Sequence, residues 1–294
     1  QYETLKRKIL IIKPDFIFHL AAQSLVKKSY KDPVLTWKSN LNSTINLLES
    51  LRSVKKKTSV IIVTSDKCYL NVEKKGSYKE TDTLGGEDPY SASKASCEIL
   101  VNSYTKSFFN KKKSLIKICT VRAGNVIGGG DWSEDRLIPD CVKNWSKKEI
   151  TKVRNPNSTR PWQHVLEAIS GYLVLASKLS KNHTLHGQSF NFGPISKKSN
   201  SVKRVLELFR NYFVYSEFRF KDNKRFKEAQ LLSLNSSKAR KLLNWKANLT
   251  FTETISYVGN WYKNYYNGNK ILTKEQILSY QTLAKRRKLS WTKN

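Results

Sequence analysis

The chain contains no methionine, and acidic residues are scarce: 23 Asp and Glu stand against 54 Lys and Arg in 294 residues, a formal net charge of +31. No run of about 18 apolar residues occurs, which argues against a transmembrane helix. The opening QYETLKRKIL has no signal-peptide core. Cysteine is limited to Cys68, Cys97, Cys119 and Cys141. None forms a C-x-x-C pair or stands near a histidine at zinc-ligand spacing, so neither a disulfide framework nor a structural metal is expected. Four reduced thiols suit the cytoplasm. A G-x-G-x-x-G turn is missing as well. Gly128 to Gly130 follow a late strand without that spacing and read as glycines that permit a tight path.

The excess of positive charge does not form a dedicated face. Lysines are scattered in small runs such as Lys55 to Lys57 and Lys111 to Lys113, and AKRRK near the C-terminus is the densest patch. No nucleic-acid-binding motif accompanies them. Solvated lysine-rich surfaces are the expectation, with no nucleic-acid partner, and an anionic small molecule is compatible with them. At 39% hydrophobic and 11% aromatic residues the chain can build one large domain or two unequal lobes.

Apolar periodicity orders the first half as helix, strand, helix, strand, helix, strand. FIFHL (Phe16 to Leu20), SVIIV and LIKICTVR (Leu115 to Arg122) read as strands, and residues 33–53 and 90–110 as helices, with Pro89 in the first turn of the second. Continuous apolar strands alternating with helices predict an α/β fold with a Rossmann-like parallel sheet. After Gly130 the texture changes to shorter pieces. Residues 1–130 are expected to form the sheet domain and 131–294 mainly a smaller C-terminal lobe, with strands such as the one in GQSFNFGP returning to the sheet. FRFKD is a further candidate strand, and Asn235 or Ser236 a candidate cap for the helix that follows.

Ligands of open α/β sheets bind beyond the carboxyl ends of the strands. Three such ends carry reactive groups: Ala21-Ala22-Gln23, Thr64-Ser65-Asp66-Lys67 and Arg122-Ala-Gly-Asn125. The run Ser65-Asp66-Lys67 either caps a turn or displays chemistry at the mouth of the sheet. Tyr90 and Lys94 lie four residues apart on a helix and so share one face. An ammonium beside a phenol favours the phenolate over its ordinary pKa of about 10. Such a tyrosine can take a proton from an alcohol as hydride leaves its carbon.

These features resemble the extended short-chain dehydrogenase/reductase superfamily. Segments HLAAQSLVKKSYKDP, VTSDKCYLN, YKETDTLGGEDPYSASKASCE, RAGNVIGGGDWSEDRLIPD, RNPNSTRPWQHVLEAISGYL, FNFGP and KEAQLLSLNSSKARKLLNWK are similar to the CDP-glucose 4,6-dehydratase family. The resemblance implies a lyase acting on CDP-glucose through an internal NAD redox cycle, with deoxysugar for a surface polysaccharide as the destination. It makes Ser65, Asp66, Lys67, Tyr90 and Lys94 catalytic, with Asp66 the acid toward the departing 6-hydroxyl and Lys67 the C5 base if its amine is neutral; a charged Lys67 would act electrostatically, with the base elsewhere. Related sugar-nucleotide dehydratases keep Asp and Glu where this chain has Asp66 and Lys67. Ala21, Ala22, Gln23, Asn40, Tyr90 and Lys94 would hold NAD, and Asn125, Arg136, Leu137 and Arg160 would hold the nucleotide diphosphate. The competing readings are packing for the alanines, a plain polar residue for Asn40 and surface ion pairs for the arginines. Trp132 and Trp162 could wall a pocket or fill a core. His19 and His164 read as structural, and His183 and His186 as loop residues.

A sheet of this kind begins with a strand, a glycine-rich turn and a helix. On that pattern Gln1 falls within the helix before the fourth strand. About 60 residues, the first βαβαβ, are then missing, the strand Phe16 to Leu20 becomes an exposed apolar edge, and weak NAD binding and little activity are expected of the chain as given. The alternatives are another NAD-dependent sugar-nucleotide enzyme such as an epimerase, which needs no elimination pair, or an inactive remnant. Superfamily members of this kind form homodimers through helices like 33–53 and 90–110.

Overall fold

The computed structural model describes residues 2–73, 76–110, 114–194, 200–220 and 232–293. The lysine run 111–113, the last residues of FRFKD and most of KEAQLL lie outside the described residues. Two units emerge. One comprises residues 2–72, 78–123 and 172–191, and the other residues 124–171 and those described from 192 onward, with Glu73 and residues 76–77.

The first unit is built on a four-stranded sheet. Its strands are β1 (Phe16–His19), β2 (Thr58–Val63), β3 (Ile116–Ala123) and Ser189–Phe192, ordered as named. β1 runs parallel to β2, pairing Phe16 with Ser59, and β2 parallel to β3, pairing Thr58 with Ile116. Parallel strands need crossovers, and helices supply them. β2 is buried on both faces: after Thr58 and Ser59, both buried, it continues as an unbroken Val-Ile-Ile-Val run. β1 differs: Phe16 is 45% and Phe18 37% exposed, and among the described residues β1 pairs with β2 alone. A strand with one neighbour and one covered face leaves alternate side chains in solvent.

Leu5 and Ile9 of the helix Tyr2–Ile12 meet Leu47, Leu48 and Leu51 of the helix Ser43–Leu51, and Val60, Ile62, Ile116 and Ile118 close this core from the sheet. The expected helix over 33–53 is present but not uniform. It starts at Pro33 under the Asp32 side chain, which accepts from the Leu35 N–H, and passes through a π-helical turn, Lys38–Asn42, before Ser43–Leu51. Pro89–Phe108 is the long helix, with Pro89 at its first position and Asp88 accepting from the Ser91 N–H. Gly86 sits against this start: a Cβ there would lie 2.5 Å from that of Ser91.

In the second unit, helices Leu137–Ser146, Val202–Phe209 and Phe251–Gly268 share a core of Ile138, Trp145, Phe209, Val258, Trp261 and Tyr262. Three strand pairs, each of two or three residues per strand, complete it, among them Val126–Ile127 parallel to Gln163–His164. Glu167 is buried among the N–H groups of Asn248 and Leu249 and the Tyr280 hydroxyl, tying the helix Val165–Lys181 to the C-terminal segment. Burial raises its carboxyl to about 7 against the pull of those donors.

Leu48 has no exposed surface in the first core. Leu48→Ala is expected to lower unfolding stability by about 2–5 kcal/mol, read by urea titration at constant m.

Candidate functional site

Asp66 lies three residues beyond the end of β2 at Val63. Ser65 ends the extended stretch, and Asp66–Cys68 form a single 3₁₀ turn. The Ser65 hydroxyl accepts from the Lys67 N–H at 3.2 Å and donates to Asp66 Oδ1 at 3.1 Å. The capping reading of this run therefore holds for Ser65. It does not account for Asp66, which is buried, or for Lys67, which is half-buried and bonded to no carboxylate among the described residues.

The helix Pro89–Phe108 packs directly on that turn. Tyr90 and Lys94 are both buried, on successive turns of one face. Lys94 Nζ donates to the Val63 carbonyl at 3.1 Å, at the carboxyl end of β2. Burial lowers its ammonium pKa, with Cys97, Glu98 and Cys68 pulling the other way. Tyr172, from the helix Val165–Lys181, is buried where it feels both Tyr90 and Asp66. Its hydroxyl is raised by burial and then by those two neighbours. The phenol–ammonium pair and the Asp66 turn therefore occupy one neighbourhood.

Ala21 and Ala22 lie exposed just past β1, while Gln23 is buried. Asn40, in the π turn, accepts from the Gln23 N–H at 2.8 Å and donates to the Gln23 carbonyl at 3.1 Å and to Ser93 Oγ at 2.8 Å. Ser93 Oγ donates to the Tyr90 carbonyl at 2.7 Å. Asn40 is thus buried and joins the loop after β1 to the helix of Tyr90, which excludes the plain-surface reading. The π turn, which the periodicity did not reveal, places it there. His19 Nε2 lies 3.2 Å from Thr44 Oγ1, and burial, then Lys94, lowers its pKa to about 4.

Sequence reasoning missed Glu98 and named Arg122 merely as part of a strand end. Glu98 lies one turn beyond Lys94 on the same face and is 3% exposed, as is Arg122. Arg122 Nε and Nη2 each donate to the carboxylate at 2.8 Å. Thr64 Oγ1 donates at 2.5 Å, Thr120 Oγ1 at 2.7 Å and Ser189 Oγ at 3.2 Å. Burial alone would raise this carboxyl, but the guanidinium and the hydroxyls outweigh it and hold the group below the ordinary carboxylate range. The tyrosine–lysine spacing, extended by four residues to Glu98, was the signal available.

The four proposed nucleotide contacts fall in the second unit. Asn125 is half-buried, its carbonyl accepting from the Gln163 N–H. Arg136 precedes the helix Leu137–Ser146 and lies 3.6 Å from Asp131, the kind of ion pair weighed against a binding role. Leu137 packs against the core. Arg160 is buried, its Nη1 donating to the Thr159 carbonyl. Trp162 belongs to the core and its indole N–H donates to the Asn200 carbonyl, whereas Trp132 is partly exposed among Trp261, Tyr262, Tyr265 and Tyr266. His186 accepts from the Ile118 N–H through Nδ1, which leaves Nε2 to donate to the Phe109 carbonyl. Among the described residues no helix is long and apolar enough to cross a membrane, and no group of three His, Cys, Asp or Glu could hold a metal.

Comparison with known proteins follows these features. The pattern of the family described as GDP-mannose 4,6 dehydratase matches residues 1–258. The CDP-glucose 4,6-dehydratase of Salmonella typhimurium is 37% identical over 291 residues, covering 97% of this chain and 81% of that protein. The UDP-glucose 4-epimerase of Mycoplasma pneumoniae is 25% identical over 269 residues, 87% of this chain and 78% of that one. In fold, the chain is similar to a dTDP-glucose 4,6-dehydratase of Streptomyces venezuelae solved with NAD bound. The TM-score is 0.76 at 20% identity, over 90% of this chain and 77% of that one.

Burial lowers the His164 pKa to about 4, as it does that of His19. The unfolded chain, near 6.5 at each, binds more protons than the folded one between those values. The two histidines therefore subtract stability as pH drops from about 6.5 to about 4, partly offset by Glu167, whose raised carboxyl takes up a proton below about 7 in the folded chain. Urea titrations at pH 7 and 5 are expected to show the loss, and His164→Gln to reduce it.

Proposed function

The chain belongs to the GDP-mannose 4,6 dehydratase family and to its CDP-glucose 4,6-dehydratase members, and from that premise we propose that its own reaction removes water from CDP-glucose to give CDP-4-keto-6-deoxyglucose. The observation that carries the reading is the packing of the Tyr90–Lys94 face against the Asp66 turn, with Tyr172 sensing both. A C4 epimerase needs the phenol and the ammonium but has no use for an acid and a base at C5 and C6.

The residues present fit NAD. Ala21 and Ala22 are exposed and carry nothing beyond Cβ, so a flat ligand can reach the backbone past β1, and Lys94 is held with its ammonium at the end of β2. NAD, when bound, supplies a reversible acceptor for the C4 hydride. Tyr90 receives the proton of the 4-hydroxyl, and Lys94 stabilises the phenolate that does so. The ketone at C4 acidifies the C5 hydrogen. Lys67, as the neutral amine, would take that proton and a protonated Asp66 would deliver one to the 6-hydroxyl as it leaves as water. The hydride equivalent removed from C4 ends on C6 and a proton returns to C5, so the redox change cancels over the cycle and the net loss is one water. Arg160 and Arg136 suit the diphosphate, through the forked geometry of guanidinium on phosphate, with Leu137 next to Arg136 in the chain and Asn125 as a further contact.

The same proposal includes a cytoplasmic setting, consistent with four buried free thiols. It includes a homodimer as well: Val34 and Leu35 on one helix and Ile99 and Phe108 on another are exposed apolar residues suited to covering each other across two copies.

Incubation with CDP-glucose and NAD in large excess, which offsets weak cofactor binding, is expected to yield the alkali-absorbing 4-keto sugar, at a low rate. Tyr90→Phe should lower the rate by roughly 10²–10⁴-fold, and Asp66→Asn by a similar factor, because each removes a proton-transfer group. Appearance of the galactose configuration without water loss would overturn the dehydratase reading in favour of an epimerase.

A further inference from the structure

Glu98 and Arg122 touch no group assigned a step in the reaction, yet they grip the chain on both sides of the Asp66–Cys68 turn. Before the turn, Thr64 Oγ1 donates to Glu98 Oε1 at 2.5 Å. After it, Arg122 Nη1 donates to the Tyr69 hydroxyl at 2.8 Å, and the guanidinium carbon stands 4.8 Å from the centre of the Tyr69 ring. The Tyr69 hydroxyl passes its own hydrogen to Asn191 Oδ1 at 2.8 Å. The two ends of a six-residue span, Thr64 to Tyr69, thus close on one buried ion pair.

The other attachments of that pair reach the remaining parts of the first unit. Glu98 belongs to the helix that carries Tyr90 and Lys94. Thr120 and Arg122 belong to β3, and Ser189 to the fourth strand. A shift of the Asp66 turn relative to Tyr90 therefore requires breaking bonds to a carboxylate that has no water to replace them. A buried charge robbed of its partners is costly, so the position is strongly held. The turn's own bonds are weaker: Cys68 N–H to the Ser65 carbonyl and Lys67 N–H to Ser65 Oγ, both at 3.2 Å.

We propose that Glu98 and Arg122 are positioning residues that bracket the Asp66–Lys67 turn, through Thr64 on one side and Tyr69 on the other, and so fix the elimination couple against Tyr90. The role in turnover rests on the dehydratase reading; the bracketing itself does not. Misplacing a reacting group by about 1 Å costs on the order of a hundredfold in rate, so a slack bracket should appear in kcat and not in binding.

Removing Glu98 or Arg122 would leave a buried charge and could prevent folding, so the test cuts the two straps instead. Thr64→Val and Tyr69→Phe are close to isosteric and leave the ion pair in place. Hydrogen–deuterium exchange of the ligand-free chain is the first readout. Peptides covering residues 65–70 are expected to exchange roughly tenfold faster in both variants, with the helix 89–108 unchanged. The second readout is steady-state turnover of CDP-glucose, where kcat should fall tenfold or more with KM within about twofold. Unchanged exchange at 65–70 in either variant, or equal acceleration in the helix, overturns the bracket. Unchanged kcat with accelerated exchange overturns the positioning role. If the unmodified chain makes no keto sugar even at saturating NAD while exchange responds as expected, the dehydratase reading falls and the bracket stands.

Discussion

A carboxylate taken wholly out of water must find, within the protein, donors to replace its hydration, and Glu98 finds five from four residues on three different strands or strand ends. Stripping an ion of water costs several kcal/mol even after the protein relaxes, and a partner charge repays this only with good geometry and satisfied lone pairs. The forked contact from Arg122 meets the first condition and the three hydroxyls the second. Each hydroxyl comes from a different place in the sheet, so the carboxylate selects one arrangement of β2, β3, the fourth strand and the long helix. A hydrophobic residue at 98 would serve packing and would leave the rotation of that helix far less determined.

That determination matters because the chemistry sits on short connections. In a parallel sheet every carboxyl end faces the same way, so groups from distant parts of the sequence gather along one rim. Ser65 to Lys67 follow β2, Ala21 and Ala22 follow β1, and Lys94 reaches the rim from the helix between β2 and β3. Loops alone would hold these groups loosely. Asn40 fastens the loop after β1 to the helix through Gln23 and Ser93, and Glu98 fastens the chain leaving β2 to that same helix. Both anchors act one step behind the groups proposed to carry the reaction.

The strands and long helices were legible because their signals are redundant. The run Val60 to Val63 of β2 is apolar without a break, and Pro89 marks a helix start at the level of residue type. The Tyr90–Lys94 spacing was legible for the same reason, since two side chains four apart must share a face. Glu98 was not, because a lone acid in SCEIL reads like any solvated helix residue until a partner is known. That partner, Arg122, is 24 residues away. The π turn that brings Asn40 inward was invisible too, as one extra residue in a helical turn barely alters an apolar period. For Trp162 and Arg136 composition left two readings. Burial and the Asn200 contact make the tryptophan a core residue. The 3.6 Å approach of Asp131, on a half-exposed side chain, leaves the arginine able to exchange a weak partner for a phosphate.

The buried polar residues also explain how one small region can hold both halves of the proposed chemistry. Lys94 in water would keep its proton over the whole physiological range and would spend much of its donor capacity on solvent. Burial lowers its pKa and the Val63 carbonyl takes one of its hydrogens, leaving the others directed by the fold. Asp66 is buried within the same neighbourhood, close enough to affect Tyr172. Two such groups in a poorly hydrated region interact strongly with whatever charge develops between them, and they can do so without reorganising because their supports are fixed. A fold that loosened those supports to gain stability elsewhere would let water in and weaken both effects together. The rigidity imposed at Glu98 and the reactivity expected at Asp66 and Lys94 are therefore one property of the site, seen from its inner and outer sides.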